Sequence, residues 1–123
     1  MLRFFKSIVY LTLILCIYNC GTNISDTKIP VSTKSAEADN LLHEALQLNS
    51  ISKGDEAKKK LLKAIKIDEN LGFAYMMLST FGSNTVTETD KYYEKALSLK
   101  DQLNDVERCM FEIRTSYREN DTE

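Results

Sequence analysis

The stretch EAKKKLLKAIKI at residues 56–67 decides the fold of this chain. Its apolar residues recur every three or four positions, and lysines occupy most of the positions between them. That spacing predicts an amphipathic helix with one apolar face. Helical spacing continues through residues 34–123, which contain no proline and no strand-like alternation of apolar and polar residues. The sequence therefore predicts an all-α domain over residues 34–123.

Five helices are predicted in this domain from the apolar spacing and from capping and breaking residues. Ser35 is suited to cap the first helix, and Gly82 and Asn84 are expected to end the third. The predicted helices cover residues 35–49, 54–67, 71–81, 87–99 and 104–118.

A short motif recurs within the domain. The sequence KAIKI at residues 63–67 returns as KALSL at residues 95–99, 32 residues later. A period of this length is typical of stacked helix pairs, because a single pair cannot bury its apolar face alone.

The phase of the small and large residues resembles that of the tetratricopeptide repeat family. The motifs that carry the resemblance are Leu41-x3-Ala45-x2-Leu48, Ala57-x3-Leu61-x2-Ala64, Tyr75-x2-Leu78-Ser79, Tyr93-x2-Ala96 and Met110-x2-Ile113-x3-Tyr117. The resemblance implies antiparallel helix pairs, about two and a half repeats in all. Small residues are expected where paired helices approach closely, since a large side chain there would overpack the contact.

The resemblance also implies a binding groove, because arrays of this family usually bind peptides or partner domains in a concave surface lined by their first helices. The positions that match the lining of that groove are Leu42, Leu46, Met76, Thr80, Phe111 and Thr115. An apolar and weakly polar set of this kind favours an apolar helix or an extended segment as partner. The alternative is that some of these residues only pack helix on helix.

The fifth predicted helix has no following helix to pair with. We therefore expect Met110, Phe111 and Ile113 to be incompletely covered in a monomer. Either the chain is a truncated relative of a longer protein, or a partner covers this face. Homo-oligomerisation through the last helix is one form of the second alternative.

The N-terminal 19 residues have the pattern of an export signal. Arg3 and Lys6 give a positive start, residues 8–17 are uncharged and largely apolar, and the chain then becomes polar. This pattern defines a secretory signal peptide. The alternative, an uncleaved membrane anchor, is disfavoured because a spanning helix needs about 20 mostly apolar residues.

The sequence Ile17-Tyr18-Asn19-Cys20 resembles a lipobox, the recognition motif of bacterial lipoprotein signal peptides, in the relaxed form of the Bacteroidetes group. Cys16 is the competing cysteine, but it lies inside the apolar segment. The resemblance implies that Cys20 becomes the first mature residue and carries a lipid. The chain is then expected to be exported and lipid-anchored to a bacterial envelope membrane, on its periplasmic or surface face. Residues 20–33 are expected to comprise this lipidated cysteine and an extended, flexible tether.

Charge and composition exclude several functions. The chain has 16 basic and 18 acidic residues, so it lacks the clustered positive excess that nucleic-acid binding needs. One histidine and no nucleotide-binding or hydrolase motif predict no catalytic site, no metal site and no cofactor. His43 is expected at the surface, and Cys109 is expected to be a small buried residue.

The lysines of the second predicted helix form the main charge cluster. They are Lys53, Lys58, Lys59, Lys60, Lys63 and Lys66. The favoured interpretation is a solvated helix face. The alternative is contact with anionic lipid or glycan phosphates near the membrane.

Together these features predict a membrane-anchored lipoprotein whose helical domain binds a protein or peptide, as a scaffold or adaptor in the cell envelope. The alternative is an accessory or sensor fragment of a larger signalling or transport assembly.

Overall fold

The computed structural model describes residues 28–81 and 83–120 of the chain. The predicted signal peptide at residues 1–19 and the predicted lipidation site Cys20 lie outside the described residues. Within them the chain is helical, without strands. The helices are α1 (Ala36–Ser50), α2 (Gly54–Ile67), α3 (Gly72–Leu78), α4 (Val86–Ser98) and α5 (Asp105–Asn120), with a short 3₁₀ helix at Lys100–Gln102. The prediction of an all-α fold is confirmed.

Capping side chains explain where two of the helices begin. Ser35 Oγ accepts a hydrogen bond of 3.2 Å from the backbone N–H of Ala38, so Ser35 caps α1 as predicted. At the start of α4, Thr85 Oγ1 accepts from the N–H of Glu88, and the Glu88 carboxylate accepts from the N–H of Thr85. This capping box satisfies two donors that a helix start leaves without partners. The backbone and hydroxyl hydrogen bonds from Thr85 hold the pKa of Glu88 below its ordinary value.

Helix α3 is shorter than predicted, because it ends at Leu78 and not at residue 81. Two side chains bond back to the last turn: Ser79 Oγ donates to the carbonyl of Met76, and Thr80 Oγ1 donates to the carbonyl of Met77, each at 2.7 Å. Asn84 Nδ2 donates to the carbonyl of Leu78 at 2.6 Å. These hydroxyl and amide groups satisfy carbonyls that a longer helix would have used.

The core lies between α1, α2, α3 and α4, and it also includes Leu103 and, from α5, Phe111. Helix α1 packs on α2, α2 packs on α3, and α3 packs on α4. Six alanines are buried where these helices meet: Ala38, Ala45, Ala57, Ala64, Ala74 and Ala96. A small side chain at each contact lets the helix axes approach closely, and leucine and phenylalanine fill the remaining space.

The start of α3 lies close to the connection that follows α4. A Cβ atom added to Gly72 would lie 2.9 Å from Leu103 Cδ2 and 3.2 Å from Leu99 Cβ. Both leucines belong to the connection between α4 and α5. Glycine at position 72 therefore allows this connection to lie directly against α3.

The segment before α1, residues 28–35, lies against the helices, and we call it the N-terminal strap. The backbone N–H of Ser32 donates to Glu107 Oε1 at 3.0 Å, and Ser32 Oγ accepts from the N–H of Asn104 at 2.9 Å. Val31 packs against the hydrophobic core. The expected extended tether up to residue 33 is therefore corrected, since its described part is bound to the start of α5.

Candidate functional site

Helix α5 exposes an apolar surface that we call the α5 stripe, which consists of Val106, Met110, Ile113 and Tyr117. Their exposed fractions are 43 %, 38 %, 54 % and 66 %. Residues spaced by three or four positions lie on one face of a helix, so the four side chains form a continuous row. The expected incomplete cover of Met110 and Ile113 is confirmed. A contiguous exposed apolar row of this kind is typical of an interaction site.

The same helix packs on the rest of the protein through a different face. Phe111 is 1 % exposed, and its ring stacks on Tyr93 of α4 with centroids 6.1 Å apart. The expectation that Phe111 is incompletely covered is therefore wrong. The guanidinium of Arg118 lies 4.3 Å from the centre of the Tyr93 ring and pairs with Asp90. This packed face fixes α5 on the protein. The stripe lies on a different part of the helix surface, which the rest of the protein leaves exposed.

The six residues of the predicted groove fall into two groups. Leu42, Met76 and Phe111 are buried in one hydrophobic core cluster. The remaining three are accessible to solvent to different degrees. Leu46 and Thr115 are half-buried and Thr80 is exposed. The described residues thus leave these three as the accessible part of the predicted groove.

His43 and Cys109 occupy places that the sequence did not predict. Cys109 is exposed on α5, so the expectation of a buried thiol is wrong. His43, expected at the surface, is largely buried under the N-terminal strap. Its Nε2 lies 3.1 Å from the carbonyl oxygen of Ile29, and its Nδ1 lies 2.8 Å from that of Asp39. The histidine therefore joins the strap to α1.

Glu107 is one of the polar residues that hold the strap, and sequence reasoning missed it. Its side chain is fully buried. Oε1 accepts from the N–H of Ser32, and Oε2 accepts from the N–H of Asn104, each at 3.0 Å. Asn104 Oδ1 accepts in turn from the N–H groups of Val106 and Glu107. The pattern Asn104-x-x-Glu107 is a capping-box signature that could have identified this start of α5.

A surface cavity of about 630 Å³ lies between α2, α3 and α4. Its aromatic walls are Tyr75 and Tyr92, and Ile65 also lines it. Lys95 Nζ lies 5.8 Å from the centre of the Tyr75 ring, which is a cation–π contact. Burial, followed by the charge of Glu69, raises the pKa of the Tyr75 hydroxyl. Burial also raises the pKa of the Tyr92 hydroxyl.

The lysines in α2 and just before it do not all remain free. Lys60 pairs with Glu44 of α1, and Lys53 Nζ lies 3.4 Å from Glu56 Oε1. Lys59 and other lysines of α2 remain exposed. This arrangement agrees with the interpretation of a solvated helix face.

Over residues 28–81 and 83–120, no cluster of three or more histidine, cysteine, aspartate or glutamate side chains could hold a metal ion. Within the same ranges, no helix has the length and apolar character needed to cross a membrane. A scan against protein-family models and searches of curated proteins and of solved structures found no match to this chain.

Proposed function

We propose that the protein is an exported lipoprotein whose helical domain binds another protein chain at a bacterial envelope membrane. The observation that carries the binding function is the α5 stripe, because it leaves four large apolar side chains in water on a helix that is already fixed by packing. Such a surface is stabilised when a partner removes it from water. The chain acts in this proposal as a scaffold or adaptor, without a catalytic site.

The helical domain is proposed to be a tetratricopeptide-like array of about two and a half repeats. Supporting this are the packed pairs α1 with α2 and α3 with α4, and the buried small residues Ala45, Ser79 and Ala96 at motif positions. In this arrangement α5 opens a third pair, and its stripe is the surface on which a further helix would pack.

The membrane location is proposed from the N-terminal sequence, with lipid carried on Cys20. Metabolic labelling with a palmitate analogue tests this step. We expect the wild-type chain to be labelled, Cys20→Ala to lose the label, and Cys109→Ala to keep it. Labelling of Cys20→Ala at the wild-type level would contradict lipidation at this residue.

The binding function is tested by photo-crosslinking in cells. A photoreactive amino acid at Ile113 of the α5 stripe is expected to give a discrete product with a second protein chain. The matched control is the same amino acid at Val86, which is 79 % exposed but lies at the start of α4. Equal products at both positions, or none at position 113, would refute the stripe as a protein-binding surface.

A second function is an accessory or sensor fragment of a larger signalling or transport assembly. The cavity with Tyr75, Tyr92 and Lys95 favours it, since two aromatic faces beside an ammonium group form a second surface for recognition. Crosslinks from position 92 to a different chain than that captured at position 113 would support this alternative.

A further inference from the structure

We propose that a second copy of this chain covers the α5 stripe, with the two α5 helices antiparallel about a two-fold axis. This proposal names the partner of the binding function above, and it therefore rests on the stripe being a protein-binding surface. It does not depend on the lipid anchor.

The spacing of the stripe is self-complementary. Val106, Met110, Ile113 and Tyr117 follow one another at intervals of four, three and four residues, so the row is the same in both chain directions. A two-fold axis between Met110 and Ile113 sets each of these residues against the other one in the second copy. The same axis sets Val106 of one copy against Tyr117 of the other. An isologous interface requires this kind of reciprocal match.

The sizes of the opposed side chains also fit. The smallest residue of the stripe, valine, lies opposite the largest, tyrosine, and methionine lies opposite isoleucine. Alternating large and small residues across facing positions lets the layers interdigitate. A parallel pair would instead place the two tyrosines together in one layer and the two valines in another.

The residues that flank the stripe favour a second copy over a lipid surface. Cys109 and Ser116 border one side and are uncharged, so two copies can approach there without repulsion. Arg114 borders the other side, where it is half-buried beside the domain. Asp105 and Glu112 are exposed, roughly a third of a turn from the centre of the stripe. Membrane-surface helices carry mainly lysine and arginine on their polar face, whereas α5 carries acidic and basic residues together, and the acidic residues near the apolar row oppose binding to anionic lipid.

The position of the domain leaves room for the second copy. The face of α5 with Glu107 and Phe111 is buried against the protein, about a third of a turn from the stripe. The domain therefore lies beside the stripe and not over it. In the antiparallel pair both domains lie on the same side of the two helices.

The area of the stripe sets the expected strength of the dimer. Helix α5 has 16 residues, a length of about 24 Å. Four side chains along it cover less than the roughly 800 Å² per partner of a standard interface. We therefore expect a dimer that dissociates in the micromolar range and becomes more populated when the copies share a membrane.

Disulfide crosslinking of the full chain in cells tests both the partner and the orientation. In the antiparallel pair, Cys109 of one copy lies next to Ser116 of the other. We expect Ser116→Cys to give a disulfide-linked dimer when diamide is added as oxidant, and Cys109→Ala with Ser116→Cys to lose it. Ser98→Cys, on an exposed position of α4 away from the stripe, is the matched control and should give no such product.

A second pair of variants keeps the test independent of cysteine reactivity. Adding Ile113→Asp to Ser116→Cys should reduce the dimer about tenfold or more, because it would place a carboxylate in the apolar interface. Adding Val86→Asp, an equally drastic change at an exposed apolar residue elsewhere, should leave it unchanged. Absence of the Ser116→Cys dimer, or its persistence with Ile113→Asp, would overturn the proposal. If position 113 still photo-crosslinks a different protein in that case, the protein-binding function stands without self-association.

Discussion

Replacing Glu107 with alanine should loosen the N-terminal strap at Ser32 and destabilise the domain. The side chain is fully buried, and its two oxygens accept from backbone N–H groups that lie far apart in the chain. Ser32 lies 75 residues before Glu107, whereas Asn104 lies only three residues before it. The substitution therefore removes a long-range contact and a helix cap at the same time.

The expected loss of stability depends on which hydrogen-bond acceptors remain for each of the two N–H groups. The N–H of Asn104 keeps the Ser32 hydroxyl as an acceptor at 2.9 Å, so its loss is partly compensated. The N–H of Ser32 is half-buried and has no second acceptor among the described contacts, and losing its hydrogen bond costs about 0.5–1.5 kcal/mol. With the lost half of the capping box, we expect the free energy of unfolding to fall by about 1–3 kcal/mol.

Urea unfolding followed by far-UV circular dichroism measures this change, with an unchanged m-value as the sign of an unaltered unfolded state. Hydrogen exchange of the strap amides reports its release separately from global unfolding. Glu112→Ala is the matched control, because it deletes the same atoms from an exposed residue of the same helix, and it should change stability by at most about 0.5 kcal/mol. If Glu107→Ala were no more destabilising than this control, the proposed role of Glu107 would be wrong.

Three further predictions concern Gly72, Glu88 and Tyr75. Gly72→Ala should destabilise by about 1–3 kcal/mol in thermal unfolding, since its Cβ would meet Leu103 at 2.9 Å; Gly54→Ala, with ordinary contacts at 3.7 Å, should be neutral or slightly stabilising. Glu88→Gln should flatten the loss of stability in acid: the folded pKa of Glu88 is lowered, so its contribution is present above the unfolded pKa and disappears as pH falls through the folded value. Tyr75→Phe should remove a late component from the alkaline absorbance titration and reduce alkaline destabilisation, because a raised folded pKa gives stability that is lost as pH rises through it. An unchanged acid or alkaline profile in either variant would contradict the corresponding shift.

The helices could be predicted because the residues that specify each helix lie within it or directly beside it in the sequence. The spacing of alanine and leucine in residues 56–67 identifies α2 without knowledge of any other part of the chain. The same holds for Ser35, whose cap acts on an N–H three residues away. The early end of α3 could not be predicted in this way, since it depends on Asn84 reaching back to the Leu78 carbonyl across a loop.

The strap and the two faces of α5 depend on long-range contacts, and there the prediction failed. Residues 28–33 have the composition of a linker, yet they bind Glu107 and Asn104 from the far end of the domain. Apolar spacing alone also cannot distinguish the packed face of α5 from its exposed face. Phe111 is buried and Cys109 exposed because the packing of α5 on the other helices decides which side faces inward.

The strap also connects the two halves of the proposed function. Pro30 O accepts from the side chain of Asn104, so the chain that leaves the domain toward Cys20 starts beside the first turn of α5. Pro30 lies ten positions after Cys20, and the chain between them can span at most about 36 Å. A lipid on Cys20 would therefore hold the N-terminal end of α5 within that distance of the membrane. Two anchored copies would therefore hold their stripes at a similar height above the membrane. Because their motion is restricted to the membrane plane, the antiparallel dimer would form more readily between anchored copies than between copies free in solution.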